Sequence, residues 1–154
     1  MQFPELPSEA QADPSVSFHF EAVEFDLPDP ASLGLWLQQI ASLEGKPMLG
    51  LDVIFCSDEY LRQVNREHLQ HDYYTDIITF PYTEGAVHGD LFVSSERVAE
   101  NAQTHRQPFV RELCRVLAHG VLHLAGYGDK SDQEISTMRA KEEHYLLLCP
   151  ALES

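Results

Sequence analysis

The segment from Pro108 to Gly126 constrains this chain most, because its apolar residues recur at the spacing of an amphipathic helix that also carries two histidines. The apolar positions of this segment are Phe109, Leu113, Val116, Leu117, Val121 and Leu124. His119 and His123 lie four residues apart, which places both imidazoles on one helical face, one turn apart. The segment therefore predicts a packed helix that presents two imidazoles together and ends at Gly126.

Short β-type segments dominate the first two thirds of the chain, and helical segments dominate the rest. Strands are predicted over residues 16–20, 48–55, 76–80 and 90–93, the last two as an antiparallel hairpin across Gly85 and Gly89. Helices are predicted over residues 30–43, 57–69, 94–105, 108–126 and 131–148. This order predicts an α+β fold with a small mixed β-sheet packed against helices.

The length of 154 residues suits one domain with a hydrophobic core. Residues 1–14 contain three prolines and few apolar side chains, so we expect a loose N-terminal arm there. We expect a single domain over residues 15–150, with the histidine-bearing helix late in it.

The cysteines and the hydropathy pattern predict a cytoplasmic protein. Cys56, Cys114 and Cys149 are few, odd in number and without CxxC spacing, so we expect free buried thiols rather than disulfides or a thiolate zinc site. No apolar run approaches the roughly 18 residues that span a membrane. The first residues show no secretory signal pattern.

Charge is unevenly distributed along the chain. The formal net charge is -15, which by itself disfavours a nucleic-acid partner, because phosphates require local positive charge. However, residues 97–141 hold seven of the ten Lys and Arg residues and five acidic ones. A polyanion could therefore dock on this part of the molecule, although an ordinary mixed helical surface would show the same pattern.

A third ligand for a metal follows the two histidines. Gly126 can end the helix in a left-handed turn, after which the chain can fold back and bring Asp129 toward His119 and His123. Two imidazoles and one carboxylate, with a fourth position open, are a known catalytic zinc set. The alternative is a capped helix end with two incidental histidines.

Three ordered sequence blocks resemble the YbeY family of metal-dependent endoribonucleases, which are linked to rRNA maturation. His119-Gly-Val-Leu-His123-Leu-Ala-Gly-Tyr127 resembles that family's His-Gly-x-Leu-His-Leu-x-Gly-Tyr-Asp-His. Residues 75–81 resemble its Thr-Asp/Asn-Val-Leu-Ser-Phe-Pro block, and residues 89–94 its Gly-Asp-Ile-x-Ile-Ser block. The resemblance implies a zinc-dependent endoribonuclease with one Zn²⁺ per chain, single-stranded RNA or rRNA as substrate, and the small ribosomal subunit or assembly proteins as partners.

The chain departs from the family pattern at the third ligand and at an arginine. The family's third histidine falls on Asp129, which lowers the charge of a loaded site by one unit. The family's arginine falls on Leu69, so Arg66 and His71 become candidate catalytic residues in its place. Arg66 is also a candidate RNA contact. So are Arg111 and Arg115, the basic residues closest to the motif on the same helix.

Two other functions are compatible with the motif. A zinc peptidase of the metzincin type would share the HxxxHxxGxxD spacing, but such enzymes use a Glu directly after the first His, and this chain has Gly120. A non-catalytic ribosome-assembly factor with a structural metal would also keep the ligands. The sequence does not indicate an oligomeric state.

Overall fold

The computed structural model describes residues 15–70 and 74–152, and within them the chain forms a four-stranded sheet with five α-helices. The strands are β1 (Val16–Glu21), β2 (Met48–Cys56), β3 (Ile77–Pro81) and β4 (Val87–Ser94). The helices are α1 (Pro30–Leu43), α2 (Asp58–Leu69), α3 (Ser95–Thr104), α4 (Phe109–Leu124) and α5 (Asp132–Leu146), followed by a short 3-10 helix at Pro150–Leu152. The predicted arm over residues 1–14 lies outside the described residues, as does His71.

The sheet is mixed, as predicted, with strand order β1-β2-β4-β3. β2 pairs in parallel with both β1 and β4, while β3 pairs antiparallel with β4 and forms the predicted hairpin. Every second residue of β4 points into the main core, namely Val87, Leu91 and Val93 around Gly89. This alternation fixes which side chains can meet α4.

The two faces of the sheet carry different helices. Helices α1 and α4 pack on one face and α5 packs against α4, so that Trp36, Leu117 and Met138 join the inward side chains of β2 and β4 in the main core. Helix α2 packs on the other face, where Leu61 joins Cys56 and a second, smaller apolar cluster: Ile78, Tyr60, Val64, Phe80 and Phe92. Residues of α2 and residues of α4 are therefore separated by the sheet.

Most element ends agree with the predicted ones, because the residues that start helices act locally. The side chains of Ser57, Ser94 and Ser131 accept hydrogen bonds from the first turns of α2, α3 and α5. β4 begins at Val87, three residues before the predicted strand, because it pairs with β2 from Met48 onward. The predicted single α+β domain is confirmed.

All three cysteines are buried and none of them forms a disulfide bond, as predicted. Cys114 in α4 and Cys149 after α5 bring their Sγ atoms to 3.3 Å of each other. Burial raises the pKa of Cys56 to about 12, and the neighbouring carboxylates add to this rise. None of the described helices is long and apolar enough to cross a membrane.

Candidate metal centre

The C-terminal end of α4 turns the chain back toward its own histidines. Gly126 adopts φ 114°, a left-handed conformation that costs glycine little. Its N–H donates to the His123 carbonyl at 3.0 Å, and the Tyr127 N–H donates to the Leu122 carbonyl at 3.0 Å. This pair of bonds is the Schellman arrangement that closes many helices. The turn predicted at Gly126 is confirmed, and it directs residues 127–129 back along α4.

His119, His123 and Asp129 come together as the spacing predicted. The Oδ2 atom of Asp129 lies 3.1 Å from His123 Nε2 and 3.3 Å from His119 Nε2. The imidazole centroids are 4.7 Å apart with nearly perpendicular planes. Within residues 15–70 and 74–152, no other group of three or more His, Cys, Asp or Glu side chains lies close enough together to hold a metal ion.

The separations within the cluster fit one small metal ion. Zinc binds imidazole nitrogen and carboxylate oxygen at about 2.0–2.2 Å in a tetrahedron, which places neighbouring ligand atoms roughly 3.3–3.5 Å apart. The two nitrogen–oxygen distances lie at or just below this range. The set would supply three ligand atoms to such an ion and leave a further position for water or substrate. His119, His123 and Asp129 would hold the ion.

Glu142 of α5 orients His119. Its Oε2 accepts a hydrogen bond from His119 Nδ1 at 2.6 Å, and the carboxylate is almost fully buried. A proton held on Nδ1 leaves the lone pair of Nε2 facing His123 and Asp129. Metal-binding histidines commonly have such a carboxylate behind them, because it fixes the tautomer and raises the basicity of the ligand nitrogen.

A buried ion-pair chain supports Glu142 in turn. Arg115 donates to Glu142 at 3.0 Å and, through two nitrogens, to Glu112 at 2.6 and 3.1 Å. Both carboxylates are at most 3% exposed. Because a buried charge without a partner is costly, each group in this chain holds the next in place. Arg115 therefore acts on the cluster through Glu142.

Both carboxylates beside the histidines are held ionised. Burial raises the pKa of Glu142, but the hydrogen bond from His119 and the charge of Arg115 outweigh it, so the pKa lies below its ordinary value. Burial likewise raises the pKa of Asp129, and interactions with His123 and His119 bring it below the ordinary value. At neutral pH, Asp129 offers an anionic oxygen to a cation.

The turn that carries Asp129 is anchored to α1 and α5. Tyr127 donates to Glu44 at 2.6 Å, Lys141 donates to the same carboxylate at 3.0 Å, and Tyr145 donates to it as well. The Lys141 ammonium also lies 5.0 Å from the centroid of the Tyr127 ring. Tyr127 is two residues before Asp129, so the hydrogen bonds to Glu44 fix the backbone that leads to the third ligand.

Gly120 brings α4 close to the sheet between the two histidines. A Cβ atom at this position would lie 2.8 Å from a methyl carbon of Leu91 and 2.9 Å from one of Ile77. The residue after His119 therefore faces the core and away from the cluster. A glutamate here would meet buried apolar side chains, which disfavours the zinc-peptidase alternative.

The candidate RNA contacts are not all placed together. Arg115 and Arg111 lie about one and two turns before His119 on α4, and Arg111 pairs with Glu143 at 2.8 Å. Arg66 lies on α2, which covers the opposite face of the sheet from α4. The structure does not bring Arg66 to the cluster, and its catalytic role stays a prediction that this placement does not support.

Two carboxylates near the cluster were not among the predicted site residues. Glu142 was detectable, because it falls on the buried stripe of α5 between Met138 and Tyr145, where an isolated carboxylate requires a partner. Asp76 precedes β3, and burial raises its pKa although Arg115 and His119 lower it in part. Its closeness to these residues depends on how β3 packs against α4, which the local sequence does not encode.

The fold and the cluster define a class: a small α+β protein with a two-histidine, one-carboxylate site of the kind that hydrolytic metalloenzymes use. The family model described as "Endoribonuclease YbeY" matches residues 29–149. The chain belongs to the YbeY endoribonuclease family. It is therefore a nuclease, and so a hydrolase, which confirms the predicted family and enzyme class.

Relatives of known name match most of the chain. The endoribonuclease YbeY of Cytophaga hutchinsonii is 49% identical over 136 residues, covering 87% of this chain and 95% of the relative. That of Phocaeicola vulgatus is 45% identical over 135 residues, covering 86% and 97%. The solution structure of TM1509 from Thermotoga maritima matches with a TM-score of 0.62 at 28% identity, covering 90% of this chain and 96% of the other.

Proposed function

We propose that this protein is a zinc-dependent endoribonuclease that cuts single-stranded RNA in rRNA maturation and ribosome quality control. One observation carries the metal assignment: the Nε2 atoms of His119 and His123 both lie within 3.3 Å of one Asp129 oxygen, while Glu142 holds the far side of His119. Membership of the YbeY family supports RNA as the substrate. The cytoplasm is the expected compartment, with the small ribosomal subunit or assembly proteins as partners.

The residues of the site have separate tasks in this proposal. A bound zinc would supply a Lewis acid for a phosphate oxygen and acidify a water molecule. His119, His123 and Asp129 bind the ion, Glu142 keeps the Nδ1 proton on His119, and Arg115 keeps Glu142 ionised. As the third ligand is an anion, it leaves one positive charge fewer at the loaded site than a third histidine would.

Metal content tests the ligand set directly. We expect purified protein to contain one zinc ion per chain by elemental analysis, and each of the variants His119→Ala, His123→Ala and Asp129→Ala to lose most of it. Replacement of His105, a histidine at the end of α3, with alanine is the matched control and should retain the ion. Full stoichiometry in Asp129→Ala would contradict the third ligand.

Substrate assays separate the proposal from its two alternatives. Zinc-loaded protein should cut a single-stranded RNA and leave a matched unfolded protein substrate intact, and a chelator should stop the cleavage. Cleavage of the protein substrate would indicate the peptidase. A metal-bound, folded protein that cleaves neither substrate would favour an assembly factor with a structural metal.

A further inference from the structure

A cleft between α4 and α5 leads away from the metal cluster. Two cavities of about 230 and 370 Å³ lie side by side there, and Arg115 and Arg139 line both of them. The first cavity reaches His119 and Asp129, and the second reaches Arg111. Arg111, Arg115 and His119 follow each other at four-residue spacing on α4, so this α4–α5 cleft extends about two helical turns, or roughly 12 Å, from the cluster.

The three arginines of the α4–α5 cleft are not equally available to a phosphate. Arg115 is held by Glu112 and Glu142, and Arg111 is held by Glu143. Arg139 is exposed and forms no ion pair with any residue in the described part of the chain. Its guanidinium can therefore bind a phosphate without first breaking an internal salt bridge.

The charge of the α4–α5 cleft changes sign when a divalent cation binds. Its walls carry three arginines and four carboxylates, the latter being Glu112, Asp129, Glu142 and Glu143. The formal charge is thus negative by one unit without metal and positive by one unit with a divalent ion. Because the whole chain has a net charge of -15, RNA should bind this cleft more tightly when the ion is present.

We propose that Arg139 is a phosphate-binding residue for single-stranded RNA, and that it acts together with the bound metal to make the α4–α5 cleft attractive to the RNA backbone. This inference rests on the proposed endoribonuclease function and assigns the RNA a path. The strand runs from the cluster between α4 and α5, with one phosphate on Arg139. Arg111 and Arg115 shape the walls of the path.

Binding of a non-cleavable RNA tests this inference without relying on activity. A fluorescent single-stranded RNA with 2′-O-methyl groups can be titrated with zinc-loaded protein at several salt concentrations. We expect Arg139→Gln to weaken binding about tenfold, as loss of a charge-assisted contact should. In Arg139→Gln, the negative slope of log affinity against log salt should become shallower by about 0.7, the value for one lost phosphate contact on a single strand.

Two control variants separate the position from the charge. Arg139→Lys keeps the charge, so it should keep most of the salt slope. Lys46 lies in the turn between α1 and β2 and lines neither cavity. Lys46→Gln also removes one positive charge, so the RNA affinity and salt slope of this variant should match those of the wild type. A wild-type slope in Arg139→Gln, or an equal loss in Lys46→Gln, would overturn the inference.

The metal arm of the same titration tests the coupling. Metal-free wild-type protein should bind the RNA more weakly than zinc-loaded protein, and saturating RNA should tighten zinc binding by the same factor, because such coupling is reciprocal. Equal RNA affinity with and without zinc would overturn the coupling. If zinc-loaded wild-type protein binds no RNA, the proposed function fails together with the inference. If it binds RNA but Arg139→Gln is unaffected, the inference fails alone.

Discussion

Among individual side chains, Glu142 decides how His119 presents nitrogen to the cluster. It is buried, accepts a hydrogen bond from His119 Nδ1 at 2.6 Å and pairs with Arg115. Its effect on a metal is indirect, because its own oxygens face the back of the imidazole. A site with three suitable ligands but no such support would allow the His119 ring to rotate and exchange tautomers.

Replacing Glu142 with glutamine should therefore weaken zinc binding while the three ligands stay in place. We expect a loss of about 10- to 100-fold in affinity, the usual cost of removing the partner of a metal-binding histidine. Competition with a chromophoric chelator measures it. Glu143→Gln alters the next residue of α5, whose carboxylate pairs with Arg111, and should leave zinc affinity unchanged. Equal affinities in both variants would show that the Glu142 contact does not tune the site.

Helices α1 and α4 each contain an internal glycine, and the two positions differ in the space around them. At Gly34 of α1, an added Cβ would meet Val16 at 3.5 Å, an ordinary contact. At Gly120 of α4, it would come within 3.0 Å of Leu91 and Ile77. α4 thus lies closer to the sheet than a helix with a side chain at this position can.

Alanine at these two positions should have opposite effects on stability. Gly34→Ala should raise the free energy of unfolding by about 0.5–1 kcal/mol, because it removes glycine's backbone entropy from a helix interior. Gly120→Ala should lower it by about 1–3 kcal/mol through overpacking against buried side chains. Urea unfolding of the metal-free proteins measures both. A Gly120→Ala protein as stable as Gly34→Ala would show that α4 can move off the sheet freely.

Helices and strands were predictable from the sequence where nearby residues determine them. Contacts between distant helices and strands were not predictable. The serines that cap α2, α3 and α5 and the alternation in β4 are visible in short windows of sequence. The His119, His123 and Asp129 cluster was predictable because one helix end and one turn contain it. The contact between His119 and Glu142 spans 23 residues, and the parallel pairing of β2 with β4 joins strands separated by α2 and β3. Those contacts depend on how distant elements pack.

Across the whole molecule, Glu44 links the first helix to the last. Its carboxylate follows α1 and accepts hydrogen bonds from Tyr127, Lys141 and Tyr145. Burial raises the pKa of Glu44, but these three partners outweigh it, so the pKa lies below the ordinary value of 4.5. A carboxyl group with a lowered pKa in the fold stabilises it above the unfolded pKa and loses that contribution as pH falls through the folded pKa.

The stability of Glu44→Gln should therefore depend on pH in a defined direction. At pH 7 we expect metal-free Glu44→Gln to be about 2 kcal/mol less stable than metal-free wild type, because hydrogen bonds to a charged acceptor are lost. Below the folded pKa the difference should shrink. Urea unfolding at a series of pH values measures it. Glu100→Gln, which removes a mostly exposed partner of Arg97, should have little effect at any pH. A constant difference across pH would contradict an ionised Glu44.

The buried cysteines allow transient openings on the two faces of the sheet to be measured separately by thiol labelling. Cys56 lies beneath α2, whereas Cys114 and Cys149 face each other between α4 and the end of the chain. A thiol-specific reagent reaches either group only during a transient opening of the covering helix. Labelling at Cys56 alone would report detachment of α2. Labelling at Cys114 and Cys149 would report separation of α4 from the C-terminal turn, and the native chain needs no introduced probe to tell these two events apart.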